Sequence, residues 1–364
     1  DLNQIPILEK EIIKKNNAEF ISSDVSIFNA IKFKTSGTTG TPMFGFIRKK
    51  DLRKRFKIIL KTMCLSGFDI QKKYARFVGK NIAPNGAVYR KDYINNHYFF
   101  SINRLSNRTV FDYYNAIVNN KIIYLEGYPS TINNLVNLFK NNNLEINHVK
   151  GIYLTAEKLN DYQKENISSY FKCSVFDYYG STEQSVYIYK PSSQETYECS
   201  NVTGYLEVIN NDGYLCKEGE EGEMIITSFT SYFTPLIRYR IGDRCVVSKI
   251  NKNIDGSITY QLSEIIGRNE ESFNTIDGRI VSRFSLVLKM LPKEIILSQL
   301  YLSEKKNVVT LNYVSNHVIK ITLFDLFLDK MQEFIGDGYE YKIFKIKQVE
   351  KNPTGKIKTV FIEK

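Results

Sequence analysis

Apolar residues recur at two different spacings along this chain, and these spacings predict its elements. Between residues 51 and 63 apolar side chains are three or four positions apart, which predicts an amphipathic helix. The stretch "GYPSTINNLVNLFKNNN" predicts a turn and then a second helix with its N-cap at Ser130 or Thr131. The stretches "KGIYLTAEKL" and "CSVFDYYGSTEQ" each predict a short strand that ends in a loop. This alternation of strand and helix indicates an α/β domain.

A different pattern begins at Gly204, where "GYLEVI", "GEMIITSF" and "PLIRYRIGD" predict strands joined by tight turns. "NNDG" between the first two is typical of a hairpin turn. After "IIGRNEES" the pattern predicts a further small α+β unit. Its predicted elements are a helix near 282–291, strands near 306–314 and 316–323, a helix near 325–335, and strands near 341–349 and 358–362.

Composition allows a sizeable core, since 43% of the 364 residues are hydrophobic and 13% are aromatic. No run of 18 apolar residues occurs, so no membrane span is expected. The first residues, "DLNQIPILEKEIIKKNN", lack the apolar centre of a signal peptide. The five cysteines (Cys64, Cys173, Cys199, Cys216 and Cys245) are scattered without a C-x-x-C pair. That dispersal predicts reduced thiols and a cytoplasmic location.

The net charge of +11 raises the question of a nucleic-acid partner. Lys and Arg are spread along the chain beside Asn and Ile, which is typical of a base-composition bias, and no nucleic-acid partner is expected. Two basic groups, Arg48–Lys50 and Arg53–Arg55, follow the glycine-rich segment discussed next. They are interpreted as a solvated helix face, with added positive potential for a bound polyphosphate as the alternative.

The stretch "FKTSGTTGTPM" contains an unbroken run of hydroxyl-bearing residues and glycines from Thr35 to Gly40. Successive backbone N–H groups in such a loop form an anion-binding concavity, and glycine permits positive φ angles. The P-loop of nucleotide hydrolases is excluded, because here no Gly-Lys is followed by Ser or Thr. Phosphate binding and a mobile surface loop remain the two interpretations of the run taken alone.

Other segments of this kind follow in order. "VFDYYGSTEQ" places carboxylates, tyrosines and hydroxyls at a predicted strand end, where open α/β sheets bind ligands. "TPLIRYRIGD" places two arginines beside a Gly-Asp pair, "GRNEE" follows, and "NPTGKIK" carries Lys356 on a glycine turn. Each segment alone also has the composition of an ordinary turn.

Together these segments resemble the motifs of the adenylate-forming superfamily of acyl-CoA synthetases, nonribosomal adenylation domains and luciferases. The likeness is greatest to the shorter branch of phenylacetate–CoA ligase and capsule-biosynthesis adenylating proteins. "TSGTTGTP" is similar to the phosphate loop, "YYGSTE" to the adenine loop, "TPLIRYRIGD" to the ribose motif, "GRNEE" to the hinge and "NPTGKIK" to the catalytic-lysine turn. The likeness runs from about residue 5 to residue 358.

This resemblance implies an α/β fold with a large N-terminal adenylating domain, residues 1–266, built of α/β layers plus a small β subdomain. A hinge at 267–271 and a small mobile α+β domain at 272–364 would follow. The implied reaction is ATP-dependent activation of a small carboxylic acid as an acyl-adenylate with release of pyrophosphate. Transfer to a thiol, with CoA as one candidate, would complete it.

Two alternatives stay open at this point. One is transfer of the acyl group to a carrier protein or an amine in polysaccharide or secondary-metabolite biosynthesis. The other is a non-catalytic nucleotide-binding protein, against which the presence of Glu183 and Lys356 argues.

The resemblance also assigns roles to residues. Lys356 is expected to bridge the carboxylate and the phosphate, Thr182 to contact the α-phosphate, and Glu183 to ligate Mg²⁺. Tyr179 would stack on adenine, and Asp243 would accept both ribose hydroxyls. The remaining expected nucleotide-binding residues are Ser36, Gly37, Thr38, Thr39, Gly40, Ala156, Glu157, Gly180 and Arg268. Glu270 is the expected pivot of the hinge.

Several positions depart from the wider family. Met43 stands where many members have Lys, and Glu270 stands where Asp is usual. The segment "IDGRIVSRFS" keeps Gly278 but not the fuller pattern of the phenylacetate ligases, which leaves the acyl acceptor open. Some relatives bind zinc after the adenine loop, but this chain has Tyr205 where the partner histidine of Cys199 would lie, so no zinc is expected.

The acid itself is not identified by the sequence. Five aromatic residues are candidates for the acyl pocket, although each is more typical of a core: Tyr98, Phe99, Phe100, Tyr124 and Tyr128.

Overall fold

A computed structural model of the chain describes residues 2–26, 28–34, 43–78, 86–93, 97–159, 161–191, 194–253, 257–268, 273–281, 284–288, 290–350 and 357–363. Seven of the predicted site residues lie outside these ranges: Ser36, Gly37, Thr38, Thr39, Gly40, Glu270 and Lys356.

Helices and strands alternate through the first half of the chain. The α-helices of the described part are α1 (Lys10–Lys15), α2 (Lys49–Leu65), α3 (Val110–Asn119), α4 (Pro129–Asn141), α5 (Asp161–Phe171), α6 (Phe284–Leu288) and α7 (Asp325–Ile335). Short 3-10 helices span Leu2–Gln4, Ile102–Arg104 and Ile321–Phe324. The first ten strands are β1 (Ala30–Lys34), β2 (Phe44–Arg48), β3 (Tyr74–Val78), β4 (Tyr89–Asp92), β5 (His97–Ser101), β6 (Tyr124–Gly127), β7 (Gly151–Thr155), β8 (Ser174–Gly180), β9 (Tyr187–Tyr189) and β10 (Tyr197–Cys199). The others are β11 (Gly204–Ile209), β12 (Glu221–Ser228), β13 (Tyr239–Lys252), β14 (Ile258–Arg268), β15 (Phe273–Asn274), β16 (Ile280–Val281), β17 (Leu297–Ser303), β18 (Val308–Val314), β19 (Glu340–Lys345) and β20 (Val360–Glu363).

One 12-stranded sheet organises the first 268 residues, in the order β11-β12-β13-β14-β10-β9-β8-β7-β6-β3-β5-β4. Strands β5, β3, β6, β7 and β8 are parallel neighbours. Strands β6 and β7 are buried on both faces because helices cover both sides of this parallel part. Helices α3, α4 and α5 pack on the face of Leu125 and Ile152, while α2 packs over Tyr124 and Tyr153 on the other face.

The antiparallel part of the sheet has its own apolar core, formed by side chains from β9 and β11 to β14 together with β1 and β2. The segment around Leu8 joins it, because Leu8 forms a parallel bridge to Tyr239 at the start of β13. The register between β13 and β14 places Asp243 opposite Arg268. Two residues predicted to hold the nucleotide are therefore direct cross-strand neighbours.

A separate apolar core is built from residues between Phe273 and Val360. Its sheet has the order β19-β18-β17-β20, and α6 and α7 pack against it. The predicted fold class, a mixed α/β chain with a multi-stranded α+β unit at the carboxyl end, is confirmed. The boundaries 1–266, 267–271 and 272–364 stay predictions.

Two local predictions were wrong. Helix α4 begins at Pro129 with Tyr128 as its N-cap, not Ser130 or Thr131, because the missing N–H and fixed φ of proline suit the first helical position. The predicted strand at 316–323 is instead a loop and a 3-10 turn, Ile321–Phe324, that leads into α7. The sequence prediction also missed a strand, β17, which precedes the predicted strand near 306–314.

Candidate active site

The predicted phosphate loop joins the two strands of a hairpin. Strands β1 and β2 are antiparallel, and the last pair of their register is Lys34 with Phe44. The strands pack closely at Gly45, since a Cβ there would lie 2.4 Å from the ring of Phe33. Met43, at the position where many relatives have Lys, is only 1% exposed. The hairpin thus holds both ends of the predicted loop against the antiparallel core, and the loop residues themselves lie outside the described part.

The loop that leaves β8 carries the predicted adenine and metal residues. Thr182 is exposed, whereas Glu183 is only 1% exposed, so these neighbouring side chains lie on opposite sides of the loop. The hydroxyl of Tyr239 donates a hydrogen bond of 3.4 Å to Oε1 of Glu183. Gln184 has a positive φ of 56°, which turns the chain back toward β9. This tight turn fixes where Thr182 and Glu183 stand relative to the sheet.

Arg55 of α2 lies beneath this loop and is 2% exposed. Its Nη1 donates to the carbonyl oxygen of Gln184 at 2.9 Å, and its Nη2 donates to that of Val186 at 2.6 Å. Burial lowers the pKa of Arg55 to about 10, so the group remains a cation at neutral pH. The guanidinium therefore supports the loop and places a positive charge behind it.

Sequence reasoning missed this role, because it assigned Arg53–Arg55 to a solvated helix face. Arg53 is exposed, but Arg55 is not. The available signal was position: Asp51, Arg55 and Met63, the buried residues of α2, share one stripe of the helix at intervals of four or eight. Asp51 is held there by Arg48, whose Nε and Nη2 donate at 2.7 and 2.8 Å.

The predicted adenine and ribose residues are brought into direct contact. The phenol of Tyr179, on β8, donates a hydrogen bond of 2.5 Å to Oδ2 of Asp243, on β13. Asp243 is 8% exposed, so it is largely buried beside Tyr179. Only the backbone of Arg268, its cross-strand neighbour, is described. Motifs that are far apart in sequence thus converge on one end of the sheet.

The residues that follow β7 reach the same end. Ala156 has a positive φ of 69°, which redirects the chain out of the strand. Oε2 of Glu157 accepts a hydrogen bond of 3.1 Å from the backbone N–H of Ser130, and its Oε1 accepts one of 3.3 Å from that of Ile357. Ile357 directly follows the predicted catalytic Lys356 in sequence. Ile357, the first described residue after the predicted lysine, therefore contacts the turn that follows β7.

A buried polar network spans the strands next to this site. Oε1 of Glu126 accepts hydrogen bonds from Nε and Nη2 of Arg76, at 2.9 and 2.6 Å, and from the phenol of Tyr178 at 2.5 Å. Burial raises the pKa of Glu126 to about 7. On the other side of β8, Asp177 accepts a bond of 2.5 Å from Tyr197, and burial raises its pKa to about 6. Both carboxylates thus link side chains from different strands of the sheet.

The candidates for the acyl pocket separate into two groups. Tyr98 and Phe100 are at most 1% exposed inside the core under α3, and Tyr124 packs in the tyrosine-rich cluster under α2. Tyr128 instead is half-buried at the start of α4, where burial and the nearby Glu157 carboxylate raise its pKa. Of these four residues, Tyr128 is the one placed beside the predicted nucleotide site.

The residues present fit a magnesium ion better than zinc. Mg²⁺ is usually held by one or two carboxylates together with water and phosphate oxygens, and Glu183 supplies one carboxylate. Within the described ranges no group of three or more His, Cys, Asp or Glu side chains is placed to hold a metal ion. Burial raises the pKa of Cys199 to about 12, which disfavours the thiolate that zinc requires. Both expectations, magnesium at Glu183 and no zinc, stay predictions.

The sequence was compared with family models and with known proteins. No family model matches the sequence. Protein CapK of Staphylococcus aureus is 24% identical over an alignment 377 residues long, gaps included. The alignment covers 98% of this chain and 79% of that protein. Indoleacetate–lysine synthetase of Pseudomonas savastanoi is 30% identical over 171 residues, which cover 46% of this chain and 39% of that protein.

Among solved structures, the chain is similar to 2-hydroxyisobutyryl-CoA ligase in the postadenylation state with 2-HIB-AMP. The TM-score is 0.73 at 15% identity, over 99% of this chain and 80% of that chain. Against the same enzyme with 2-HIB-AMP and CoA in the thioesterification state, the TM-score is 0.60 at 16% identity, over 99% and 80%.

The chain thus has the fold of the adenylate-forming ligases, and the resemblance predicted from its motifs is confirmed. None of the helices in the described residues has the length and apolar character needed to cross a membrane. All five cysteines lie in the described part, and none of them is paired.

Proposed function

We propose that this protein activates a small carboxylic acid with ATP, forming an acyl-adenylate and releasing pyrophosphate. The observation that carries the proposal is the contact between Tyr179 and Asp243, which unites the predicted adenine and ribose motifs at one sheet end. The position of Glu183 on the same loop supports it. The ligase fold at 99% coverage and the relatives described above support it further.

In the proposed first step, a carboxylate oxygen of the acid attacks the α-phosphorus of ATP. The new bond joins that oxygen to phosphorus, and the bond to the β-phosphate oxygen breaks, so pyrophosphate leaves with the electron pair. Negative charge accumulates around the α-phosphate, and positioned donors are the main source of acceleration in such reactions. Thr182 would donate to the α-phosphate, and Lys356 would neutralise charge between the two reactants.

Nucleotide binding would use other predicted residues. Asp243 would accept the ribose hydroxyls, since a carboxylate offers two acceptor oxygens to a diol, and Tyr179 would stack on adenine. Glu183 would hold a magnesium ion, which would offset the charge of the phosphates. The buried Arg55 cation behind the loop adds to the positive potential there.

In the second step a thiol such as that of CoA would attack the acyl carbon, and AMP would leave. The ligases among the structural relatives support this acceptor. An amine or a carrier protein is the alternative acceptor. It is favoured by indoleacetate–lysine synthetase among the relatives and by the departures after residue 275. The unpaired cysteines support a cytoplasmic location for either reaction.

A pyrophosphate-release screen tests this function. The protein is incubated with ATP, Mg²⁺ and a panel of aryl, fatty, hydroxy and amino acids, each with and without CoA and with and without lysine as an amine acceptor. Acid-dependent release is the expected result, and the Asp243→Ala variant is the control for nucleotide specificity. A protein that binds ATP but releases no pyrophosphate with any acid would instead support the non-catalytic alternative.

A further inference from the structure

Glu157 connects three segments that are far apart in the sequence. It belongs to the turn after β7, and its two oxygens accept backbone N–H groups from Ser130 and from Ile357, at 3.1 and 3.3 Å. Ser130 is the second residue of α4, and Ile357 belongs to the unit with the separate carboxyl-terminal core. The two acceptor positions of one carboxylate thus join the sheet, a helix and the carboxyl-terminal unit.

The larger part of the chain orients one oxygen of this carboxylate. The N-terminal N–H groups of a helix and the positive end of its dipole favour a negative group, and the bond from Ser130 places Oε2 there. With Oε2 held at α4, Oε1 is directed toward the carboxyl-terminal unit. A hydrogen-bond acceptor that is already oriented before the carboxyl-terminal unit docks loses little conformational entropy on docking.

The hydrogen bond between Ile357 and Glu157 lies next to the predicted catalytic lysine in sequence. The N–H that it donates belongs to the peptide unit shared with residue 356, the predicted catalytic lysine. A hydrogen bond to that unit therefore fixes the backbone at Ile357, directly after the predicted lysine, relative to the turn after β7. A displacement of about 1 Å in a reacting group is enough to lower a rate about a hundredfold.

A second contact between the two parts lies at the other end of α4. Nδ2 of Asn141 donates to Oδ1 of Asn316 at 3.3 Å, and both side chains are exposed. Helix α4 is therefore bordered by the carboxyl-terminal unit at both ends. This second contact joins neutral groups at the surface, so it is expected to contribute little to docking. Its two positions can instead be used to detect docking.

We propose that Glu157, which the resemblance assigns to nucleotide binding, is instead a positioning residue that docks the carboxyl-terminal unit through Ile357 for the adenylation step. The proposal rests on the proposed function, since it assigns a role within that reaction. A docking bond made in this arrangement favours the first half-reaction. It contributes nothing to acyl transfer if the carboxyl-terminal unit adopts a different orientation for that step.

Cross-linking tests the docking without any need for activity. Asn141→Cys and Asn316→Cys are introduced together in a Cys64→Ser background, because Cys64 is exposed, and are joined with a short bis-maleimide. We expect Glu157→Ala to lower the cross-linked fraction severalfold. The exposed Glu165→Ala on α5 is the matched control and should leave the fraction unchanged. An unchanged fraction in Glu157→Ala would overturn the proposal.

Kinetics then separate docking from nucleotide binding. In ATP–pyrophosphate exchange, Glu157→Ala should lower kcat about tenfold to a hundredfold, as for loss of a hydrogen bond to a charged group, with KM for ATP within about twofold. Glu157→Gln keeps one acceptor oxygen, so its kcat should lie between the values of the wild type and of Glu157→Ala. Transfer from preformed acyl-adenylate should stay within about twofold. A raised KM with unchanged kcat would show that Glu157 binds nucleotide instead.

Misfolding of the variant and failure of the proposed function can each be distinguished from failure of the docking proposal. If Glu157→Ala does not fold, as judged by circular dichroism and thermal unfolding, Glu157→Gln carries both tests. If the unmodified protein shows no exchange with any acid, the proposed function fails, while the cross-linked fraction still decides whether Glu157 docks the carboxyl-terminal unit.

Discussion

The phenol of Tyr179 lies 2.5 Å from Oδ2 of Asp243 and donates a hydrogen bond to it. These residues are 64 positions apart and stand on strands β8 and β13, which are separated in the sheet by β9, β10 and β14. The carboxylate predicted to accept the ribose hydroxyls is thus oriented by the aromatic ring predicted to stack on adenine. The two parts of the nucleoside site are coupled to each other within the protein.

Asp243→Ala is expected to weaken ATP binding about tenfold or more, because hydrogen bonds to a charged group contribute roughly 1.5–3 kcal/mol. Tyr179→Phe keeps the ring but removes the bond to Asp243, so its effect should be smaller, about two- to fivefold. Isothermal titration with ATP and Mg²⁺ measures both variants. An unchanged affinity in Asp243→Ala would remove this residue from the ribose site.

Lys356→Ala is expected to lower kcat for pyrophosphate exchange about a hundredfold to a thousandfold, as for loss of one preorganised charged donor. ATP affinity should change little, because the predicted contact is made mainly in the transition state. The neighbouring Lys358→Ala is the control. Wild-type exchange in Lys356→Ala would show that this lysine is not the catalytic one.

Arg55→Met is expected to destabilise the fold by about 1–3 kcal/mol. The change leaves the carbonyl groups of Gln184 and Val186 without their buried donor, although it also removes a buried charge. Arg55→Lys should lose part of the same stability, since an ammonium lacks the planar fork that reaches both carbonyls. Denaturant unfolding measures the loss, with exposed Arg53→Met as control. Equal stability of Arg55→Met and Arg53→Met would contradict the supporting role of Arg55.

Asp177→Asn is expected to change the pH dependence of stability. Burial raises the pKa of this carboxyl from 3.8 to about 6, so between these values the folded state binds more protons than the unfolded state. The wild-type free energy of unfolding should therefore fall as pH rises from 4 to 6. Relative to the variant, that fall should be about 2–3 kcal/mol.

Urea unfolding of the wild type and of Asp177→Asn at pH 4, 5, 6 and 7 measures this difference. Glu165→Gln, which changes an exposed carboxylate on α5, controls for loss of one surface charge. Parallel pH curves for wild type and Asp177→Asn would show that the folded protein does not raise the pKa of Asp177.

Local patterns predicted local structure well in this chain. The helices near 51–63 and 325–335 are α2 and α7, because each has apolar residues at helical spacing that face a core. The predicted strands before the adenine loop are β7 and β8. The wrong strand at 316–323 arose because "VIKIT" is rich in β-branched residues, while tertiary packing there favours a 3-10 turn into α7.

Site residues that belong to a contiguous motif could be predicted from the sequence. Contacts between residues that are far apart in the sequence could not. Resemblance alone placed Asp243 and Glu183 at a nucleotide site. Nothing local in the sequence predicted that the carboxylate of Glu157 accepts the N–H of Ile357, 200 positions away. The burial of Arg55 likewise depends on a loop about 130 residues later, so its neighbours in sequence suggested the opposite environment.

The bridge between Leu8 and Tyr239 also imposes an order of events during synthesis. The N–H of Leu8 donates to the carbonyl of Arg238 at 2.9 Å, and the ion pair of Glu9 with Arg240 joins groups 231 positions apart. Ribosomes add about 5–20 residues per second, so roughly ten to fifty seconds separate the emergence of these partners. The strand that carries Asp243 gains its neighbour at Leu8 only after the whole parallel half of the sheet has been translated. A ribosome-bound chain stopped before residue 238 would therefore have every strand of that half yet lack the ribose carboxylate.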